Sequence, residues 1–117
     1  MKRHTVTFEA FDVVVVHFPF TDRTTTKRRP ALVLSDAGAF NKQVGQSVLA
    51  MVTSASNSDW PLDVNIHDLD TAGLPSPSVV RMKLFTLDDK LVVRKAGALA
   101  KQDRSAISIA LHQLLNM

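Results

Sequence analysis

The sequence predicts a mainly β domain in which five or six short strands form a small, strongly bent sheet or barrel, followed by one C-terminal helix. Two observations carry this. Short β-branched or alternating apolar runs recur along most of the chain, each bounded by Pro, Gly, Asn or Asp. Near residue 103 the apolar spacing changes to a helical period. A third observation sets the scale: 117 residues with 45% hydrophobic content can bury a core without staples, so residues 1–117 are expected to form a single domain.

The elements follow in order. Val13 to Phe18 is a β-branched run ended by Pro19, a first strand. Phe20 to Arg29 has turn chemistry in Thr21-Asp22 and no apolar anchor, which predicts a mobile loop. Ala31 to Ser35 is a short apolar strand expected to be buried on both faces. Asp36 to Gln46 connects it to a third strand, Val48 to Thr53. After the polar stretch Ser54 to Asp59, Pro61 precedes a short strand, Leu62 to Ile66. Asp68 to Ser78 holds Gly73, Pro75 and Pro77 and reads as a connection. Val79 to Thr86 alternates, with Val80, Met82 and Leu84 on one face and Arg81 and Lys83 on the other. Asp88-Asp89 is a turn, and Leu91 to Val93 another short strand. Asp103 is placed as an N-cap, with Ile107, Leu111, Leu114 and Leu115 on the apolar stripe of the helix. Phe18, Phe20, Phe40 and Phe85 are assigned to the core.

Composition excludes several classes. Cysteine is absent, so the chain has no disulfide, thiol nucleophile or thiolate metal site. The four histidines show no ligand spacing, and neither a metal nor another cofactor is expected. No apolar run approaches the ~20 residues of a membrane span, and no signal peptide is visible, so a soluble cytoplasmic protein is expected. The formal charge is +3, a weak pointer to polyanionic partners. Placement says more than the sum: from Asp22 to Arg29 there are four cations and one carboxylate. Pro30 fixes its own φ and holds the preceding residue extended. Arg29 is thereby anchored at the mouth of a strand, with Lys27 and Arg28 on the flexible side.

Each residue also has an ordinary reading. Lys27 to Arg29 alone is a solvated charge run. Thr53 is a strand-end threonine, Arg81 a partner for a carboxylate such as Asp63, and Lys83 a solubilising edge residue. His17 shares a face with Val13 and Val15, as a core-edge histidine would. Trp60 offers a ring for stacking on a base, or serves structure in the Trp60-Pro61 step.

The segments DVVVVHFPFTD, KRRPALVLSD, VLAMVTS, WPLDVNI and SVVRMKLFTLDDK, in this order and with a closing helix, resemble the MazF/PemK/Kid toxin family. The likeness runs from Phe11 to the terminal helix. It implies an SH3-like barrel of the CcdB–MazF type and a homodimer. It also implies metal-independent, sequence-specific cleavage of single-stranded RNA, and a small acidic antitoxin as cognate partner. Carried over by motif, the arginine before proline falls on Arg29, the threonine ending the third strand on Thr53, and the arginine of the VVR strand on Arg81. Ser54 supports the site. In an extended strand Thr53 and Ser54 point oppositely, so both reach one phosphate only if the strand ends there.

Two positions depart from the family pattern. Several members carry an acidic residue two positions after the VVR arginine, where this chain has Lys83. Several carry Glu or His in the loop before Arg-Pro, where this chain has Asp22, Arg23 and three threonines. RNA is cut without metal when its own 2′-OH attacks the adjacent phosphate, which needs a base, an acid and donors to the phosphorane. Arginine suits the last task, because its planar fork meets two oxygens and stays charged. Arg29 and Arg81 are therefore assigned to transition-state charge, and Thr53 to a phosphate oxygen or the 2′-OH. Asp22, His17 and Lys83 remain alternatives for the base. Lys27 and Arg28 are assigned to binding the backbone, with Ser54, Lys83 and His17 as further contacts. Two other readings stand beside this one: a non-enzymatic CcdB-like toxin clamping a protein target such as gyrase, and a degenerate member that binds RNA without cutting it.

Overall fold

A computed structural model describes residues 6–17, 27–57 and 59–117. Six strands form one antiparallel sheet: β1 (Asp12–His17), β2 (Arg28–Val33), β3 (Gln46–Ser54), β4 (Val64–Asn65), β5 (Ser78–Asp88) and β6 (Val92–Ala98). Their spatial order is β4-β5-β3-β2-β1-β6. Short helices α1 (Lys42–Val44) and α2 (Leu69–Ala72) lie in connections, and α3 (Lys101–Leu115) follows the last strand.

Alternation along the strands gives the sheet two apolar faces. Val13, Leu32, Ala50, Val52, Val80 and Met82 pack with Ala72, Leu74, Ile107 and Ala110. Val14, Val16, Ala31, Val33, Leu49, Phe85 and Leu87 pack on the other side with Phe8. Ala31, Leu32 and Val33 are buried, as a strand covered on both faces requires. Each fully buried valine or leucine contributes about 1.5–3 kcal/mol relative to exposure.

β4 and β6 are the sheet edges and do not pair, so hydrogen bonding does not close the sheet into the barrel expected from the sequence. The physical reason is α2. It follows the two-residue β4 and meets β6 backbone to backbone, leaving no room for a ladder. A Cβ on Gly73 would lie 2.1 Å from the Ala96 carbonyl oxygen, and one on Gly97 would lie 2.4 Å from that of Thr71.

Several local expectations are corrected. Arg28 and Arg29 lie within β2, with Arg28 opposite His17 and Arg29 opposite Val16. Arg28 is thus held by the sheet and not on the flexible side. Pro30 breaks no bond with β3, because that ladder begins at Ala31. β6 runs to Ala98, beyond the expected Val93, and the two connections carry the short helices. Leu84 is 39% exposed and Phe40 37% exposed, whereas Phe85 is core. Phe18 and Phe20 lie outside the described residues. On α3, Ile107 and Ala110 are buried, but Leu114 and Leu115 are exposed.

Asp103 is not the N-cap, a position held by Ala100. It sits in the first turn, fully buried, and joins two parts of the chain. Its carboxylate accepts the backbone N–H groups of His67 (3.0 Å) and Asp68 (3.0 Å). The exposed His67 ring adds a contact at 3.3 Å. Asp103→Ala leaves both backbone donors without this acceptor. A loss of about 2–4 kcal/mol is expected in urea unfolding; a loss within 0.5 kcal/mol would mean that water replaces the carboxylate.

Candidate functional site

The β2–β3 end of the sheet brings five of the predicted residues together: Lys27, Arg28, Arg29, Thr53 and Ser54. β2 and β3 run antiparallel with Ala31 opposite Met51. Two residues further in the same register, Arg29 falls opposite Thr53 on one face. Both line a cavity of about 380 Å³ with Lys27, Arg28 and Ser54. β3 ends at Ser54, which is the condition for Thr53 and Ser54 to serve one space.

Thr53 is nearly buried, and its hydroxyl oxygen accepts from the Asn57 amide. The hydroxyl proton is left to donate elsewhere. Asn57 therefore fixes the rotamer of Thr53. Leu74, Pro75, Ser76 and Ser78 complete the opposite wall. A second cavity of about 280 Å³ shares Arg28, Arg29, Pro30, Leu74 and Pro75 with the first and continues past them to Val15, Arg94 and Ala96. The two form one groove. Its described lining holds Lys27, Arg28, Arg29 and Arg94, with no carboxylate. Such a wall raises the local concentration of anions.

Arg81 lines neither cavity. It stands opposite Met51, in the row that also holds Ala31, and so shares the face of Arg29 and Thr53. From strand spacing, the Arg29 and Arg81 Cα atoms are about 12 Å apart. The Arg81 guanidinium is forked onto Asp63, with Nε to Oδ1 at 3.2 Å and Nη2 to Oδ2 at 2.9 Å. Hydrogen bonding to that carboxylate holds Arg81 still more firmly protonated than an ordinary arginine, which leaves it no role as a base. Arg81 and Lys83 both approach the Trp60 ring, at 5.7 Å and 4.8 Å from its centroid. Lys83 thus accompanies Arg81 and stands apart from the groove. His17 is exposed at the end of β1 and lines neither cavity. Asp22 lies outside the described residues.

Sequence reasoning missed Asn57, the Leu74–Ser78 wall and Arg94. Asn57 had a signal in the Ser- and Asn-rich turn after Thr53. The wall had one in Gly73-Leu74-Pro75-Ser76-Pro77, a rigid run read only as a connection. Arg94 lies one residue past the strand end, Val93, that the sequence predicts.

A six-stranded antiparallel sheet with one terminal helix and a cationic, hydroxyl-bearing groove at its end defines a small basic β protein built around an anion-receptive cleft. Residues 9–115 match the family described as PemK-like, MazF-like toxin of type II toxin-antitoxin system, and the chain belongs to that family. No curated protein matches it. Its fold is similar to MazF in a MazE–MazF complex from Deinococcus radiodurans, with TM-score 0.76, 26% identity, and coverage of 96% of this chain and 99% of that one. It is similar to the Mycobacterium tuberculosis toxin MazF-mt6, with TM-score 0.71, 19% identity, and coverage of 91% and 97%. It also resembles a mycobacterial endoribonuclease in complex with its cognate antitoxin, with TM-score 0.73, 17% identity, and coverage of 95% of each chain.

Proposed function

We propose that this toxin is a metal-independent endoribonuclease that cuts single-stranded messenger RNA at a preferred sequence. The observation that carries the reading is the shared cavity of Arg29 and Thr53, walled by cations and hydroxyls without a carboxylate among its described residues. The scissile phosphate sits there. The 2′-oxygen bonds to phosphorus, the bond from phosphorus to the 5′-oxygen breaks, and the products are a 2′,3′-cyclic phosphate and a 5′-hydroxyl. Charge builds on the non-bridging oxygens, where the Arg29 fork and the Thr53 hydroxyl donate. Lys27 and Arg28 hold flanking phosphates, and Ser54 supports the same end. Arg81 faces the same side of the sheet and is held there by Asp63, so it meets the strand only when that pair opens.

The 2′-OH gives its proton to Asp22, and the departing 5′-oxygen takes a proton from solvent. Asp22 is close to Arg29 along the chain, which supports giving it this role. The mechanism needs no redox or group-carrying cofactor. A cognate acidic antitoxin suits the same cationic groove, and the exposed Ile109, Leu114 and Leu115 of α3 are apolar area for a homodimer. No described helix is long and apolar enough to cross a membrane. We place the protein in the cytoplasm, where its substrate is.

The test is incubation of purified protein with single-stranded RNA in EDTA. Fragments with 2′,3′-cyclic phosphate and 5′-hydroxyl ends are expected, and 2′-deoxy substitution at the mapped cut should abolish cleavage there. All-deoxy substrate cut at an equal rate would overturn the mechanism. Growth arrest with intact RNA would favour a protein target.

A further inference from the structure

We propose that the second cavity, lined by Arg28, Arg94, Val15, Leu74 and Ala96, is a subsite for a nucleotide flanking the cut, and that Arg94 is its phosphate-positioning residue. The inference rests on the ribonuclease reading of the neighbouring cavity and extends it. An internal cut requires the strand to continue on both sides of the scissile phosphate. The second cavity shares Arg28, Arg29, Pro30, Leu74 and Pro75 with the first, so it is the next concave space that a strand leaving the Arg29–Thr53 cavity meets.

Its chemistry fits a nucleotide. Val15, Leu74, Pro75 and Ala96 supply an apolar floor for a base or ribose, and the arginines supply planar forks for phosphate. The commitments of neighbouring cations point the same way. Lys95, the next residue on β6, is paired with Asp12 at 3.2 Å. Arg81 is paired with Asp63. Among the described residues neither Arg28 nor Arg94 has a carboxylate in ion-pair range, although both flank this cavity. Arg94 lies opposite Val15, so the sheet fixes where its side chain begins. An acidic peptide would use the same charges but has no call for a base-sized apolar floor; RNA uses both.

The experiment uses the whole protein and a single-stranded RNA oligonucleotide spanning a cut mapped on messenger RNA, then the same oligonucleotide shortened by one nucleotide at a time from each end. Arg94→Ala should raise KM about tenfold with kcat within twofold, and lower the slope of log binding constant against log salt by about 1. Lys90→Ala, which removes an exposed charge from neither cavity, should change neither quantity. Trimming the nucleotide that occupies the subsite should raise KM for the parent and leave Arg94→Ala nearly unaffected. An unchanged KM and salt slope in Arg94→Ala, or equal trimming penalties in both proteins, overturns the subsite while cleavage by the parent keeps the ribonuclease reading. If the parent binds RNA without cutting it, the ribonuclease reading fails and the salt slope still decides the subsite. If it binds no RNA, both fail. Weaker binding of poly-glutamate by Arg94→Ala, with RNA binding unchanged, would reassign the cavity to an acidic peptide.

Discussion

Arg29→Ala should slow cleavage of bound RNA by about 10²–10³-fold while weakening RNA binding by less than about tenfold. The asymmetry comes from when the contact matters. In the ground state the phosphodiester carries one negative charge, and Lys27, Arg28 and Arg94 share its attraction along the groove. In the phosphorane the non-bridging oxygens gain charge at the position that Arg29 and Thr53 flank. An interaction that strengthens only there raises the chemical rate and adds little affinity. Arg29 is suited to this because Pro30 follows it and the β1 ladder holds it opposite Val16, so the guanidinium starts from a fixed backbone. Single-turnover rates under saturating enzyme, set against equilibrium binding to a 2′-deoxy analogue, make the comparison. Arg29→Lys should recover part of the rate, because it restores charge without the fork. Equal losses in rate and binding would reduce Arg29 to an RNA anchor.

The strands were legible where β-branched side chains crowd together. Val13 to Val16 can bury four consecutive side chains only by sending them to both faces of a covered sheet, and three of the four are fully buried. The meeting of Thr53 and Ser54 was legible as a condition, namely that the strand stop there, and β3 stops there. Arg81 shows both the reach and the limit of motif reasoning. The sequence supports two uses of it, as a site arginine and as a partner of Asp63. The geometry shows the pairing, together with a position on the same face as Arg29 and Thr53.

What escaped the sequence depends on distant parts of the chain. Asp103 has the residue type and position of a cap, but its carboxylate serves backbone donors 35 and 36 residues away. Leu84 keeps its place in the alternation, but a register shift in the β3–β5 pairing beside it leaves it partly exposed. Arg94 follows only two valines and precedes Lys95-Ala96-Gly97, so apolar periodicity fades there and gave no reason to extend the strand. The second cavity exists only because α2 and the wall after it are pressed against β6, a contact between residues that no local pattern relates.

That contact yields the second large effect. Gly73→Ala should destabilise the protein by about 3 kcal/mol or more, lowering Tm by about 10 °C or more. Two costs add. Gly73 has φ of +74°, a left-handed conformation that L residues adopt with strain. Its new Cβ would also lie 2.1 Å from the Ala96 carbonyl oxygen, which is backbone and cannot rotate away. Gly45→Ala separates the two, because Gly45 has φ of +71° but nothing within 4 Å of a built Cβ. It should lose only the conformational part, about 1 kcal/mol. The difference between the variants in thermal unfolding therefore measures the packing of α2 on β6. The consequence reaches the groove, since Leu74 and Pro75 follow Gly73 directly and line both cavities. At temperatures where Gly73→Ala remains folded, its RNA affinity should fall, while that of Gly45→Ala stays at the parent value. If the two variants lose the same stability, α2 does not press on β6 and the edge of the sheet is open. If Gly73→Ala is the less stable but binds RNA as the parent does, the wall can shift without carrying the groove with it.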